Sequence, residues 1–512
     1  MMMKNLRKLR GVALTAAFLA LATKALAQFP VNYEASLMAG AGSGEFAPYY
    51  ISALSHGKIS SRYNAAAEAK AWRPLSLDTR FSYGFGVDLM AGYASSRDYL
   101  RYDVADKKFE AHSLHPSRVW IQQLYGEVKY RGAFLTVGMK EHGSALLNQR
   151  LSSGDLVESG NARPIPEVRV GFVDFQNIPF TNGWVQIQGE TGWGKNMDSD
   201  WWADHYNEYN YHIAQGTYYN YKRCYFRTKP SQPLSVTVGM QAAAVWGGTT
   251  KWYSGGVVTR TQSRKLKFGD LFKTLIPMPG GSEDFYDGNH LGTWDFQARY
   301  RLNNDDEVKA YFSWPWEDGS GIGRRNGWDG LWGVEYKKKE KGLVSGVVVE
   351  YMDYTNQSGP QHYAPGDHPG TDLTSQSTGA DDYYNNGYFN SYAYYGMSIG
   401  TPALMAPIYN LDGYPAFLAN RLRGFHAAAE GSITEDLDYR VAVSYRKAWG
   451  NGHNLFLEPI HDTSALVEVS YDARRLTEGL KIKGQIGLDR GNMPGNNFGA
   501  MVTVSYDGTF NF

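Results

Sequence analysis

The chain has one cysteine in 512 residues, Cys224, so an internal disulfide is excluded. It has no excess charge of either sign: 51 Lys and Arg stand against 51 Asp and Glu. That balance removes the electrostatic footprint of a nucleic-acid partner. Beyond the first thirty positions no apolar run reaches the roughly 18–20 residues of a membrane-spanning helix. Mean hydropathy is negative, which no bundle of such helices would tolerate. Motifs of catalysis are missing too. There is no GxSxG, HExxH or CxxC. Lys140-Glu141-His142 sets an acid beside a base, but no Ser or Cys elbow accompanies them. The twelve histidines show no i,i+4 pairing. The expectation is a non-enzyme without metal or cofactor.

What is present points to export. Lys4, Arg7, Lys8 and Arg10 form a basic segment, and residues 11–23 form a short apolar core. Ala25-Leu26-Ala27 then supplies a small-x-small cleavage site, so residues 1–27 read as a signal peptide and 28–512 as one mature domain. The core is too short to span a bilayer, and no cysteine follows for lipidation.

Alternation dominates the rest. Val502, Val504, Tyr506, Phe510 and Phe512 occupy every second position, with Thr503, Ser505, Asp507, Thr509 and Asn511 between them. Strand side chains alternate faces, so one face is apolar and the other polar. Phe81, Tyr83, Phe85, Val87 and Leu89 repeat the pattern, as do Leu124, Val128 and Tyr130 against Gln123, Glu127 and Lys129. The clearest hairpin carries Trp294, Phe296, Ala298 and Tyr300 up to an Asn303-Asn304-Asp305-Asp306 turn and returns through Val308, Ala310, Phe312 and Trp314. A soluble sandwich shares this period. The export signal, the aromatics at strand ends and the terminal Phe512 favour an all-β, transmembrane antiparallel β-barrel in the outer membrane, where only a closed sheet satisfies every backbone group. A final strand of this kind is what the barrel assembly machinery engages, with outer-membrane lipid as the other partner.

Connections alternate in length. Short turns fall at 73–76, 131–132, 303–306, 337–342 and 472–479. Long ones fall at 95–117, 140–166, 195–222, 250–291 and 315–327, and another begins near Asp353. Short turns belong in the periplasm and long loops outside, which puts both termini in the periplasm and requires an even strand number; 16 or 18 fit.

One segment breaks the alternation. Within SGDLVESGNARPIPEVRVG, Arg163-Pro164-Ile165-Pro166 cannot pair as a ladder strand, because prolines lack donors. This segment resembles the Asn-x-Arg-Pro-Ile-Pro signature of the capsule assembly protein Wzi family. Further matches follow in order: Arg227-Thr228-Lys229-Pro230 with Trp246-Gly247-Gly248, Glu350-Tyr351 with Asn356-Gln357-Ser358-Gly359, Tyr383-Tyr384-Asn385-Asn386-Gly387 with Ile399-Gly400-Thr401-Pro402, Asn420-Arg421 with Gly424 and His426, and Asp489-Arg490-Gly491 with Gly495-Asn496-Asn497. The resemblance implies 18 strands and a surface lectin that holds exported capsular polysaccharide. It implies neither an enzyme nor the export pore. The better-known members carry an N-terminal helical plug. Here residues 31–70 alternate and are glycine-rich; only 63–70 could be helical, and they read equally well as a strand. A reduced or missing plug is expected, which keeps a porin or substrate-selective channel open as the alternative.

Sugar binding needs flat apolar faces with amides and carboxylates between them. Trp201, Trp202, Tyr206 and Tyr209 form one such cluster, interleaved with Asp204, Asn207 and Glu208; Tyr383, Tyr384, Asn385 and Asn386 form another, running on to Tyr395. The same rings could instead be an interfacial girdle. Arg163, Arg169, Arg299, Arg301, Arg421 and Arg423 could meet acidic sugars or pair inside the lumen with Asp295, Glu350 and Asp489. Arg163, Pro164, Pro166, Arg421, Asp489, Arg490, Gly491 and Phe512 are taken as motif positions.

Overall fold

The structure, a computed structural model, describes residues 30–275, 288–317, 321–358 and 381–511. Residues 1–27, read as a signal peptide, and Phe512 lie outside them. Eighteen long strands form the wall. They are β1 Val31–Ser43, β2 Asn64–Arg73, β3 Phe81–Ala94, β4 Val119–Tyr130, β5 Ala133–Met139 and β6 Glu167–Phe172. There follow β7 Val185–Lys195, β8 Tyr218–Thr228, β9 Leu234–Trp246, β10 Asn289–Arg301, β11 Glu307–Glu317 and β12 Gly330–Lys337. The wall is completed by β13 Gly346–Asp353, β14 Leu422–Thr434, β15 Leu437–Gly450, β16 Leu455–Asp472, β17 Leu480–Gly491 and β18 Phe498–Phe510. Each pairs antiparallel with its neighbours, and a two-residue piece, Gln176–Asn177, extends the edge of β6 along β7. β18 closes the ring on β1, from Val31 opposite Phe510 to Ser43 opposite Phe498. Closure leaves no edge, so the backbone needs no water at membrane depth.

Side-chain direction follows the alternation. Phe81, Leu89, Leu124, Val128, Phe296, Val502 and Val504 are exposed on the outer wall. Glu127, Lys129, Asp295 and Met501 are buried inside. Rings collect at both rims. Tyr33 stacks on Phe510 at 4.3 Å near the short-turn end, and Phe312 stacks on Trp332 at 3.8 Å near the other. Both are girdle positions, where amphipathic rings meet headgroups. Cys224 also lies on the exposed face of β8.

The connections alternate in length as the sequence predicts from β1 to β14, whereas 451–454 and 492–497 at the long-loop end are short. No N-terminal helical bundle is found among the described residues. Residues 31–43 and 64–73 are wall strands, and the only helix between them is α1, Tyr49–Ser52. Loops do the filling instead. Residues 140–166, between β5 and β6, cross to the opposite wall. Lys309 donates to the Leu146 carbonyl at 3.2 Å, Asn148 donates to Glu335 at 2.9 Å, and Arg150 donates to Glu430 at 2.8 Å. The Ser153 N–H donates to Glu350 at 2.7 Å. α1 docks beside this loop. The Tyr49 N–H donates to both Asp489 oxygens, at 3.2 and 3.0 Å, and Tyr50 meets His426 at 2.7 Å. Leu156, Val157, Tyr384, Tyr392 and Phe417 from these loops share one buried cluster with Tyr219, Tyr221 and Leu331 of the wall.

Arg169, Arg299 and Arg423 pair with acids, but with other acids than expected. Arg169 is buried against Glu158 and Glu167, both at 2.7 Å, and Glu190 at 3.0 Å. Arg423 pairs with Asp353 at 2.8 Å. Arg299 pairs with Glu307 and donates to the Pro230 carbonyl, which Arg301 shares. Arg421 donates to the Thr355 carbonyl at 2.8 Å. Asp295, Glu350 and Asp489 hold loops and hydroxyls instead: Tyr225 donates to Asp295 at 2.7 Å, while Glu350 and Asp489 receive the backbone N–H groups above.

Candidate functional site

Five long connections converge at the long-loop end of the barrel around a cavity of about 310 Å³. Its walls include Arg97, Arg163, Asp200, Trp201, Asp204 and Tyr395. Trp201 comes from α2, Ser199–His205, which opens the β7–β8 connection. The ring stacks on His205 at 4.6 Å and 15° and meets Trp202 edge-on at 5.1 Å. Its outer part lies over Gly396. That glycine has φ +73°, and a Cβ there would fall 2.2 Å from the indole, so both conformation and space require glycine. Asp198 joins the two halves of the wall. Its Oδ2 accepts from Trp202 Nε1 at 2.8 Å and from the Tyr395 N–H at 3.0 Å. Burial pushes this carboxyl up to about 7 against those two donors. Burial pushes His205 down to about 3, with the Arg97 charge acting in the same direction.

Arg163 forms the floor. Its segment is clamped from two sides: the His56 N–H donates to the Gly160 carbonyl at 2.9 Å, the Leu54 N–H to Asn161 Oδ1 at 3.1 Å, and Asn161 Nδ2 to the Ser398 carbonyl at 2.9 Å. Pro164 and Pro166 then carry the chain into β6, and the Pro166 carbonyl accepts from the Lys195 N–H at 3.1 Å. Arg97 spends its guanidinium on Ser60, on the carbonyl at 2.9 Å and the hydroxyl at 3.2 Å.

The expected sugar-contact residues separate on this geometry. Trp201 lines the cavity. Tyr209 is half-buried against Tyr102 at 4.5 Å and Phe109 at 5.1 Å, on the outer hairpin Arg97–Asp103 and Lys108–Leu114. Trp202 and Tyr206 are inside, at 1 % and 0 % exposure. Tyr383 donates to Asp329 at 3.1 Å, and the Tyr384 N–H donates to Glu317 at 2.9 Å. Asn385 donates to the Phe417 carbonyl at 2.9 Å. Asn386 accepts from the Tyr388 N–H at 2.8 Å. These four are the buried frame of an inward-folded loop and not a surface. Amides among aromatics serve that role equally well, because a buried loop must satisfy its own backbone. Arg97 belongs to the site without any sequence signal beyond its place in a long connection, and Gly396 lies between the matched Tyr383–Gly387 and Ile399–Pro402 runs with nothing to show that it supports Trp201.

The motif at Asp489, Arg490 and Gly491 serves α1. Asn497 donates to Asp489 at 3.1 Å and accepts from the Phe46 N–H at 3.3 Å. A Cβ on Gly491 would sit 2.1 Å from the His461 carbonyl. Arg490 is exposed at the rim.

This chain is an outer-membrane β-barrel of 18 strands. No protein-family model and no curated protein matches it. Among solved structures it is similar to Wzi of Escherichia coli, an outer-membrane protein involved in group 1 capsule assembly and a carbohydrate-binding β-barrel. The TM-score is 0.52 at 13 % identity, over 97 % of this chain and 87 % of that one. It is also similar to OccAB2 of Acinetobacter baumannii, with TM-score 0.47 and 10 % identity over 94 % and 98 % of the two chains. OccK3 of Pseudomonas aeruginosa gives TM-score 0.43 and 11 % identity over 94 % and 96 %. Identities this low speak for the fold alone.

Proposed function

We propose that the barrel binds exported polysaccharide at the cell surface and so supports assembly of a capsule, as a lectin and not as a catalyst. The observation that carries this reading is the 310 Å³ cavity at the long-loop end, where the rings of Trp201 and Tyr395 line the space beside Asp200 and Asp204. Ring faces suit sugar C–H groups, and exposed carboxylates accept sugar hydroxyls. The ordered motifs of the Wzi family, and the carbohydrate binding of the solved Wzi barrel, support the same reading. The test is binding of capsular polysaccharides to the purified protein. Trp201→Ala is expected to cost at least ~2 kcal/mol, about 30-fold in affinity, as central aromatic anchors do. Tyr383→Phe, inside the loop core, is expected to bind as the parent does. Equal binding by parent and Trp201→Ala would contradict the proposal.

A selective channel is the second reading. It is favoured by a cavity of about 640 Å³ toward the short-turn end, lined by Lys58, Lys70, Glu68, Arg440 and Glu468. Ion flow through the barrel discriminates the two.

A further inference from the structure

We infer that the saccharide held in the long-loop cavity is acidic, with a sugar carboxylate seated on Arg163. This rests on the polysaccharide-binding reading and adds the charge of the ligand. The Arg163 guanidinium lies 4.6 Å from the Trp120 ring and 4.8 Å from the Tyr395 ring. Rings attract the charge of a guanidinium but offer no acceptor to its in-plane N–H groups. Among the described residues no carboxylate comes within 4.0 Å of it, and its buried Nε–H has no acceptor. The other arginines nearby differ: Arg97 is spent on Ser60, and Arg169 on three glutamates. A half-buried cation without an in-plane partner is costly, and a bidentate anion removes that cost.

The position is also fixed in advance. Gly57, at φ +67°, packs so closely that a Cβ would lie 2.9 Å from Arg163 Cγ. With the clamps at Gly160 and Asn161 and the prolines beyond, the side chain has little freedom left to lose on binding. A planar carboxylate matches the planar fork of a guanidinium held between two rings. Trp201, in the same cavity, is placed to carry the sugar ring. Asp200 and Asp204 are exposed and stay beyond ion-pairing distance of Arg163, so they accept hydroxyls without neutralising it.

The test uses the full-length barrel in detergent and two probes: an oligogalacturonate, and the same oligosaccharide with its carboxyls reduced to neutral hydroxymethyl groups. The parent is expected to bind the acidic probe at least tenfold more tightly, with a preference that shrinks as salt rises. Arg163→Gln should erase the preference. Arg163→Lys, which keeps charge and loses the fork, should retain part of it. Heat-modifiable migration shows whether each variant is folded. Equal affinity of the parent for both probes, no binding of either at millimolar concentration, or a preference that survives in Arg163→Gln would overturn the inference. Trp201→Ala is the separate arm: undiminished binding of both probes there would defeat the polysaccharide reading itself.

Discussion

Arg169 shows how single residues hold a wet barrel interior together. Its side chain is 2 % exposed, meets three glutamates within 3.0 Å and lies over Tyr221 at 4.6 Å. A buried pair is weak evidence of net stabilisation, but removing one partner strands the rest. Arg169→Met is therefore expected to destabilise the barrel by about 3–5 kcal/mol. A lowered temperature of conversion from the compact to the unfolded band in heat-modifiability gels would register it. Arg163, six residues earlier in the same motif, lies near two rings and pairs with no carboxylate among the described residues, which is why it is proposed to meet the ligand. The sequence places both arginines beside a proline-rich break. It does not tell them apart: Arg169 takes Glu158 and Glu167 from within the motif and Glu190 from β7, whereas Arg163 meets rings of Trp120 and Tyr395, and nothing local says which arginine turns to which.

At the scale of elements, α2 and the segment around Tyr395 are joined through Asp198 and packed on His205, and the two buried groups respond to pH in opposite directions. Asp198 is raised from 3.8 to about 7, so its contribution is complete below 3.8 and is lost as pH rises through 7. His205 is lowered from 6.5 to about 3, so its contribution is present above 6.5 and is lost as pH falls toward 3. Between 3.8 and 6.5 the two slopes oppose each other, and docking of α2 in the parent should be nearly insensitive to pH. Asp198→Asn should unmask loss on acidification, and His205→Phe loss as pH rises from 3.8 to 7. Near-ultraviolet circular dichroism of the Trp201–Trp202 pair reads both; parallel profiles in the two variants would contradict this assignment. The strands were the legible elements. Period-two alternation puts Phe296 and Val502 on one face and Asp295 and Glu127 on the other, as the barrel does. The loops were legible only in length. Nothing local in Tyr383, Tyr384, Asn385 and Asn386 distinguishes a loop reaching outward from one folded into the lumen, since rings and amides suit either environment. Trp201 was recognisable as a ring face, whereas its support by Gly396 depends on a contact across some 195 positions of chain.

On the scale of the molecule, closure of β18 on β1 makes a barrel, and the inward connections decide what kind. Residues 140–166 reach the far wall at Lys309, Glu335, Glu430 and Glu350, and the buried loop cluster occupies the space above them. Among the described residues the N-terminal stretch is wall strand apart from α1, and loops reach into the lumen. The consequence is not an empty lumen, because loop residues have taken the volume. On the proposed reading the barrel is a platform that presents a cavity outward, with the wall as its anchor. Conductance of the purified protein in a planar lipid bilayer tests that claim most directly. The account predicts a silent barrel with at most brief flickers, and steady conductance only after most of residues 146–162 is replaced by a short glycine linker. A stable, ohmic open channel in the unaltered protein would contradict it.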